Sequence, residues 1–326
     1  MTLRRAASPA PFTIIRASHI SYGVTDLARA RAYWVDALGF VVTAEERGTL
    51  YLRGLEERNH HCVVLREAPH ATIHRLGFKV AGEEDLDRAA AWFAGQGLEH
   101  RFVEVAHQAR TLHATDALGM PLEFCATMDK TPRLLQRYGE YRGTAPQRID
   151  HINCFTPDVQ ASHDFYAGLG FRTSEYTATE DGDTLWAIWM QRKGNTHDLA
   201  FTNGRGPRLH HIGVWVPAIT DIIHICDVLA TTGWLASMER GPGRHGISNA
   251  FFLYLRDPDG HRIELFASDY LTVDPDFEPI RWDLHDPRRQ TLWGAPAPRT
   301  WFEEGSVFET LAVREPVLAA QPVVAP

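Results

Sequence analysis

Near the C-terminal third of the chain, apolar and polar positions alternate on both sides of the tetrapeptide "DPDG". The flanking arms, "AFFLYLR" and "HRIELFA", are short, aromatic and β-rich. Pro fixes φ and Gly accepts φ > 0, so the pattern predicts a β-hairpin. In the second arm, alternation sets Ile263 and Leu265 on one face and Arg262, Glu264 and Phe266 on the other. A carboxylate among apolar groups costs on the order of several kcal/mol unless something pairs with it. Glu264 is therefore a surface residue, a salt-bridge partner or a ligand.

Such patterns recur along the chain. "SHISYGVTDLARARAYWVDALGF" (18–40) and "DHINCFTPDVQASHDFYAGLGF" (150–171) each predict a strand opened by His-Ile, then a helix, then Leu-Gly-Phe, with Gly suited to the C-cap. His19 aligns with His151, Asp26 with Asp158, and Phe40 with Phe171 after a one-residue gap. "HRLGFKV" (74–80) aligns with "HHIGVWV" (210–216), and "DALGMPLEFCA" (116–126) with "DPDGHRIELFA" (257–267). This self-similarity divides the chain into four modules, roughly 18–66, 74–126, 149–203 and 208–270. Each reads strand, helix, then about three strands, which makes the fold class α+β with the modules paired into two halves. The expected organisation is an N-terminal arm (1–13), an N-terminal half (14–126), a linker (127–148), a C-terminal catalytic half (149–270) and an extension (271–310). An Ala/Pro/Val-rich tail (311–326) is expected to be disordered or loosely draped.

The repeat also separates a candidate metal site from scaffold. The matched positions are His151, His211 and Glu264 in the second half, and His19, Arg75 and Glu123 in the first. Arginine stays protonated and cannot ligate a metal; Arg75 is expected to pair with Glu123 instead. Either histidine alone would read as a residue opening a strand near the surface. Both at equivalent module positions, with a carboxylate at a third, read as the two-imidazole, one-carboxylate set of non-haem Fe(II) oxygenases, which Mn(II) suits equally.

Composition narrows the class. The net charge of −8, without a long basic run, argues against nucleic acid. Cys62, Cys125, Cys154 and Cys226 are scattered and read as free thiols in a reducing, cytoplasmic setting. The N-terminus shows no apolar signal region, and no apolar run approaches the ~20 residues of a membrane helix.

The modular pattern resembles the vicinal oxygen chelate superfamily, built from paired βαβββ modules, whose members include dioxygenases, glyoxalases and antibiotic-binding proteins. Fold alone does not choose among them. "DHINCF", "LWAIWMQRKGNTHDLAF", "RLHHIGVWV", "MERGPGRHGISNAFFLYLRDPDGHRIELF" and "HDPRRQTLWG" resemble the type I extradiol ring-cleaving dioxygenases, over about residues 14–305. The resemblance implies that His151, His211 and Glu264 bind Fe(II), or Mn(II), and that His197 is the acid/base. It implies that Tyr254 hydrogen-bonds the substrate and that Asn153 and Trp189 line the pocket. It places Arg240, His245, Arg288 and Arg289 near an acidic side chain of the substrate. The activity implied is cleavage of 3,4-dihydroxyphenylacetate by O2 to 5-carboxymethyl-2-hydroxymuconate semialdehyde, in a homotetramer.

Read from the residues alone, His197 after the "KGN" turn is a solvated hairpin histidine or a cleft histidine. Tyr254 is a packed core aromatic or a neighbour of the metal, and the arginines form a surface patch or a carboxylate reader. The Trp- and Arg-rich segment 280–305 is expected to fold back as a lid. The competing functions are an extradiol enzyme for a neutral catechol, a glyoxalase-type isomerase and a non-catalytic binding module.

Overall fold

The computed structural model describes residues 3–179, 182 and 184–319. Four βαβββ modules follow one another. The first holds β1 (Ile14–Val24), α1 (Leu27–Arg31), β2 (Val41–Glu46), β3 (Thr49–Arg53) and β4 (Val63–Glu67). The second holds β5 (Thr72–Val80), α2 (Glu83–Gly95), β6 (His100–Glu104), β7 (Arg110–Thr115) and β8 (Pro121–Cys125). The third holds β9 (Arg148–Thr156), α3 (Val159–Gly168), β10 (Arg172–Ala178), β11 (Leu185–Gln191) and β12 (Leu199–Asn203). The fourth holds β13 (Arg208–Trp215), α4 (Ile219–Thr231), β14 (Met238–Arg244), β15 (Phe251–Arg256) and β16 (Arg262–Ala267). After them come β17 (Ile280–Asp283), β18 (Trp293–Gly294), α5 (Arg299–Glu303) and β19 (Ser306–Val307).

Each half is one sheet. The first runs β2-β3-β4-β1-β5-β8-β7-β6, and the second repeats that order as β10-β11-β12-β9-β13-β16-β15-β14, with β17 and β18 added at its ends. The first strands of paired modules lie antiparallel at the centre of each sheet, as β1 with β5 and β9 with β13. Helix starts follow the aligned aspartates. Asp26 accepts from the Arg29 N–H and Asp158 from the Ala161 N–H, both at 2.9 Å, which satisfies otherwise orphaned donors. The one-residue gap in the alignment has a physical form: the first helix continues as a π-helix over Ala32–Ala37, which takes up one extra residue. Both helices then stop at a glycine in the left-handed region, Gly39 at φ 91° and Gly170 at φ 87°.

One hydrophobic core spans both halves, for example where Phe78 meets Phe171 edge-on at 6.2 Å. Buried polar bonds tie the halves as well. Asp198 Oδ1 accepts from the Ala17 N–H at 3.0 Å, and Asp257 Oδ2 accepts from Trp34 Nε1 at 3.1 Å. Every residue of β16 is buried, so alternation there separates two buried faces rather than a core face from a wet one.

Residues 311–319 depart from the expected loose tail. Arg314 bridges Gly206, Glu315 pairs with Arg205 at 2.8 Å, and the Val317 N–H donates to the Pro157 carbonyl at 2.8 Å. Backbone pairing and an ion pair hold a segment whose Ala/Pro/Val-rich composition shows no helical or strand period. The rest of that tail lies outside the described residues.

Close backbone approach fixes two glycines. A Cβ on Gly77 would stand 2.3 Å from the His19 ring, and one on Gly213 would stand 2.0 Å from the His151 ring. Both imidazoles lie over a cross-strand glycine. Gly77→Ala is therefore expected to destabilise the protein by about 1–3 kcal/mol through overpacking, read as a lowered Tm, without changing metal content. A Tm equal to wild type would contradict this packing.

Candidate metal centre

β9, β13 and β16 are neighbours in the second sheet, and each carries one donor. Gly213 on β13 is the cross-strand partner of both His151 on β9 and Glu264 on β16. It leaves a gap between them, and His211, two residues earlier on the same face, closes the group. His151, His211 and Glu264 are buried, with one ligand atom from each within 4.8 Å of the others.

Two hydrogen-bond relays set the imidazole tautomers. His210 Nε2 donates to the Trp301 carbonyl at 2.7 Å, so its Nδ1 accepts from His211 Nδ1–H at 2.5 Å. His211 Nε2 is then a lone pair, 3.1 Å from Glu264 Oε2 and without a hydrogen-bond partner. In the second relay His151 Nδ1–H donates to Asp150 Oδ2 at 3.3 Å, which turns Nε2 toward Glu264 Oε2 at 3.0 Å. Asp150 is held in turn by Asn195 Nδ2 at 2.8 Å and lies 3.7 Å from Lys193 Nζ.

Electron-rich atoms thus converge on one carboxylate oxygen, an arrangement that favours a cation among them. The protonation energetics point the same way. Burial opposes charge on His151, but hydrogen bonds to Asp150 and Glu264 outweigh it and raise its pKa to about 9. Burial likewise opposes charge on Glu264, yet His151 and His211 hold its carboxyl well below the usual range. Two imidazoles and one carboxylate fit a divalent metal.

The other sequence-selected residues fall around this group unevenly. The His197 ring stacks at 4.0 Å and a 39° tilt on that of His151, with Nδ1 3.1 Å from Thr196 Oγ1. Burial, then the charge of His151, holds His197 well below its usual range, so it stands neutral. It is buried, not a solvated hairpin residue. Tyr254 is the cross-strand partner of Glu264, and its hydroxyl lies 3.0 Å from His245 Nε2. His245 Nδ1 donates to the Gln290 carbonyl, and its ring stacks on Phe252 at 3.8 Å.

Arg240 is buried and boxed by rings, with its guanidinium 4.6 Å from Trp301, 4.9 Å from Phe252 and 5.6 Å from Tyr254. Nη2 donates to the Gln290 carbonyl at 3.0 Å and to Thr291 Oγ1 at 2.7 Å, while Nε and Nη1 have no partner. Arg289 is also buried, and donates Nε–H to the Leu284 carbonyl at 3.0 Å. Burial lowers both guanidinium pKa values to about 10. Among the described residues neither has a carboxylate within 4.0 Å.

Asn153 and Arg289 line a cavity of about 550 Å³ with Trp186, His210, Leu284 and Trp301. Trp189 is buried in the adjoining cluster with Trp186, Ile247 and Leu284. Glu315, Pro316 and Ala319 bring the C-terminal segment across the same cavity.

Two expectations need correction. The Arg288 side chain is 71% exposed and bonded to Asp286 at 2.8 Å, so it turns away from the cavity that Arg289 lines. The cause is local: Asp286 caps the turn and captures the nearer guanidinium. Arg75 does not pair with Glu123. That carboxylate is already occupied by His19 Nε2 and His113 Nε2, each at 2.7 Å, and by Gln108 Nε2 at 3.0 Å.

Several contributors escaped the sequence reading. Asp150 and His210 each precede a ligand directly, in "DHIN" and "LHHI", and that adjacency was the available signal. Glu175 had none. Buried in β10, it accepts from the Ser248 N–H and the Tyr270 hydroxyl at 2.6 Å, and from Trp282 Nε1 at 2.5 Å. It thereby holds the turn at Ser248, where φ is +57°, beside His245. Gln290 contributes through a carbonyl, which side-chain chemistry cannot reveal.

Comparison with known proteins gives a consistent set. Residues 16–124 and 148–265 match the glyoxalase/bleomycin resistance protein/dioxygenase superfamily. A manganese-dependent 2,3-dihydroxybiphenyl 1,2-dioxygenase from Geobacillus genomosp. 3 is 30% identical over 87% of this chain and 94% of its own length. The crystal structure of homoprotocatechuate 2,3-dioxygenase from Arthrobacter globiformis superposes with a TM-score of 0.88 at 41% identity, covering 91% of this chain and 92% of that one. A variant of homoprotocatechuate 2,3-dioxygenase from Brevibacterium fuscum superposes with a TM-score of 0.92 at 38% identity, covering 97% and 90%. No described helix is long and apolar enough to cross a membrane.

The geometry sets an expectation for metal uptake. Wild type should retain close to one Fe(II) or Mn(II) per chain after gel filtration, and His211→Ala and Glu264→Ala should retain little while staying folded. Glu123→Gln should retain as much as wild type. Elemental analysis beside far-UV circular dichroism reads all three, and full occupancy in the first two variants would remove the assignment.

Proposed function

The chain belongs to the glyoxalase/bleomycin resistance protein/dioxygenase superfamily and, within it, to the extradiol ring-cleaving dioxygenases, and on that premise we propose that its substrate is 3,4-dihydroxyphenylacetate. In this reading O2 is inserted beside the diol, both oxygen atoms are retained, and the product is 5-carboxymethyl-2-hydroxymuconate semialdehyde. The observation that carries the substrate assignment is Arg240. A buried guanidinium with two unpartnered donor nitrogens, and no carboxylate within 4.0 Å among the described residues, suits an anion brought by the ligand. Arg289, a second buried cation, lines the cavity together with Trp301, the ring on which Arg240 packs.

His151, His211 and Glu264 would hold the metal, Fe(II) in this reading with Mn(II) as the alternative. When bound, it supplies a Lewis-acidic centre on which catechol and dioxygen are brought together.

The protein's own groups do the rest. His197 is neutral, so the nitrogen not facing Thr196, Nε2, accepts a proton from the catechol and returns it as the ring opens. Burial, then Glu264, keeps the Tyr254 hydroxyl protonated; its one proton is given to His245 Nε2 in this structure and would turn from it to a substrate oxygen. Asn153 leaves a buried Oδ1 unpaired at the cavity wall, where it can accept from the ligand. Segment 280–319 roofs the cavity and limits water. Assembly as a homotetramer belongs to the same reading.

A neutral catechol is the second reading. The aryl-lined wall of Trp186, Trp301 and Phe302 favours it, as does the name of the Geobacillus relative. Arg240→Ala and Arg289→Ala distinguish the two. Each should raise KM for 3,4-dihydroxyphenylacetate about tenfold or more, through a lost charge-assisted bond of about 1–3 kcal/mol. Turnover of 4-methylcatechol should change much less, and Arg288→Ala should alter neither strongly. An unchanged ratio of kcat/KM for the two substrates in both buried-arginine variants would favour the neutral catechol.

His197→Phe should keep metal and substrate binding and lose on the order of 10²–10⁴ in kcat. The loss should shrink with 4-nitrocatechol, which sheds its proton more readily. Stopped-flow turnover at wild-type rate would exclude His197 from the chemistry.

A further inference from the structure

Strand register shows that the N-terminal half retains more of the duplicated site than its donor set suggests. Ile20 pairs with Val63 as Ile152 pairs with Leu199, so His61, two residues before Val63, stands where His197 stands. Leu52 pairs with Val63 as Met190 pairs with Leu199, so Tyr51 takes the place of Trp189. His113 faces Glu123 across its hairpin as Tyr254 faces Glu264. Gly77 opposes both His19 and Glu123 as Gly213 opposes His151 and Glu264, so Arg75 occupies the position of His211. A guanidinium stands where the other half has a metal-facing imidazole.

His19, Tyr51, His61, Arg75, His113 and Glu123 line a cleft of about 830 Å³. Its charges are unequally engaged. Glu123 is taken by two imidazoles and an amide, Glu309 lies 2.8 Å from His74, and Glu46 lies 3.4 Å from His107. Arg47, Arg66 and Arg75 also line the cleft, and among the described residues none has a carboxylate within 4.0 Å. Glu104, exposed, is the remaining unpaired acid of the lining. Among the described residues the one side-chain hydrogen bond of the half-buried Arg75 is 3.5 Å long, to the Leu122 carbonyl. His113 Nδ1 and His74 Nε2 are buried without partners. The cleft therefore holds an excess of free cation and unsatisfied polar groups, within the size range of small-molecule sites.

We propose that this N-terminal cleft is a second, non-catalytic binding site for a small aromatic carboxylate. Arg75 pairs with the carboxylate through its fork, and the Tyr51 and His61 rings bound the aromatic group. The cation is supplied by the protein here, where the other half would bind one. The proposal does not depend on which catechol the C-terminal half takes.

Phenylacetate is a suitable probe, since it has no diol to chelate a metal. Metal-loaded full-length protein is first saturated with 4-nitrocatechol without oxygen, to fill the C-terminal cavity, and then titrated with phenylacetate by calorimetry. Saturable binding near one per chain is expected. Arg75→Leu should weaken it about tenfold or more, Arg75→Lys should weaken it less, and catechol turnover should be unaffected in both. Phenylacetamide, which lacks the charge, should bind wild type at least about tenfold more weakly; this comparison stands even if Arg75→Leu fails to fold. No saturable binding by wild type, an unchanged affinity in folded Arg75→Leu, or equal affinity for the amide overturns the proposal. Turnover and N-terminal binding are read separately, so failure of either leaves the other assignment intact.

Discussion

The structure turns on the crowding of two imidazoles around one oxygen of Glu264. Two imidazole nitrogens lie 3.0 and 3.1 Å from one carboxylate oxygen in a buried strand environment. In low dielectric, such proximity is tolerated only where positive charge offsets it. The neighbouring structure sustains that condition. Asp150 and His210 orient the rings, Gly213 makes room for one of them, and strand pairing fixes the spacing. His197, Tyr254 and Arg240 then fall at set distances because they stand on strands or turns of the same sheet, not on independent loops.

The two halves show how duplication divides labour. Each has a carboxylate on the last strand and an imidazole over a glycine on the first. In the C-terminal half, both imidazole nitrogens face the same oxygen. In the N-terminal half, His19 and His113 bond different oxygens of Glu123, which satisfies the carboxylate through N–H donors alone. Two substitutions at matched positions, Arg75 for His211 and His113 for Tyr254, accompany this change from an open donor set to a closed hydrogen-bond network.

The modular fold and the three donors were legible because they depend on local pattern repeated at fixed offsets. Turn residues at "DPDG", capping aspartates and cross-strand alternation all operate within a few residues. What lay beyond sequence reasoning depends on distant segments meeting. Arg288 and Arg289 are adjacent, and only the capture of one by Asp286 decides which enters the cavity. Glu175 gains its importance from Ser248, Tyr270 and Trp282, all far along the chain. Arg75 was assigned to Glu123 by charge alone, and His113, from another strand, occupies that carboxylate instead. The tail read as loose because composition does not register the backbone pairing of Arg314 with Gly206.

The roof of the cavity has a consequence for how the protein is made. All three donors have left the ribosome once residue 264 and the rest of β16 emerge, whereas Trp301 and residues 315–319 follow later. Synthesis thus exposes the donor strands before their cover exists. An ion reaching the donors in that interval would meet a sheet that still lacks the neighbouring cavity wall supplied by Trp301 and residues 315–319.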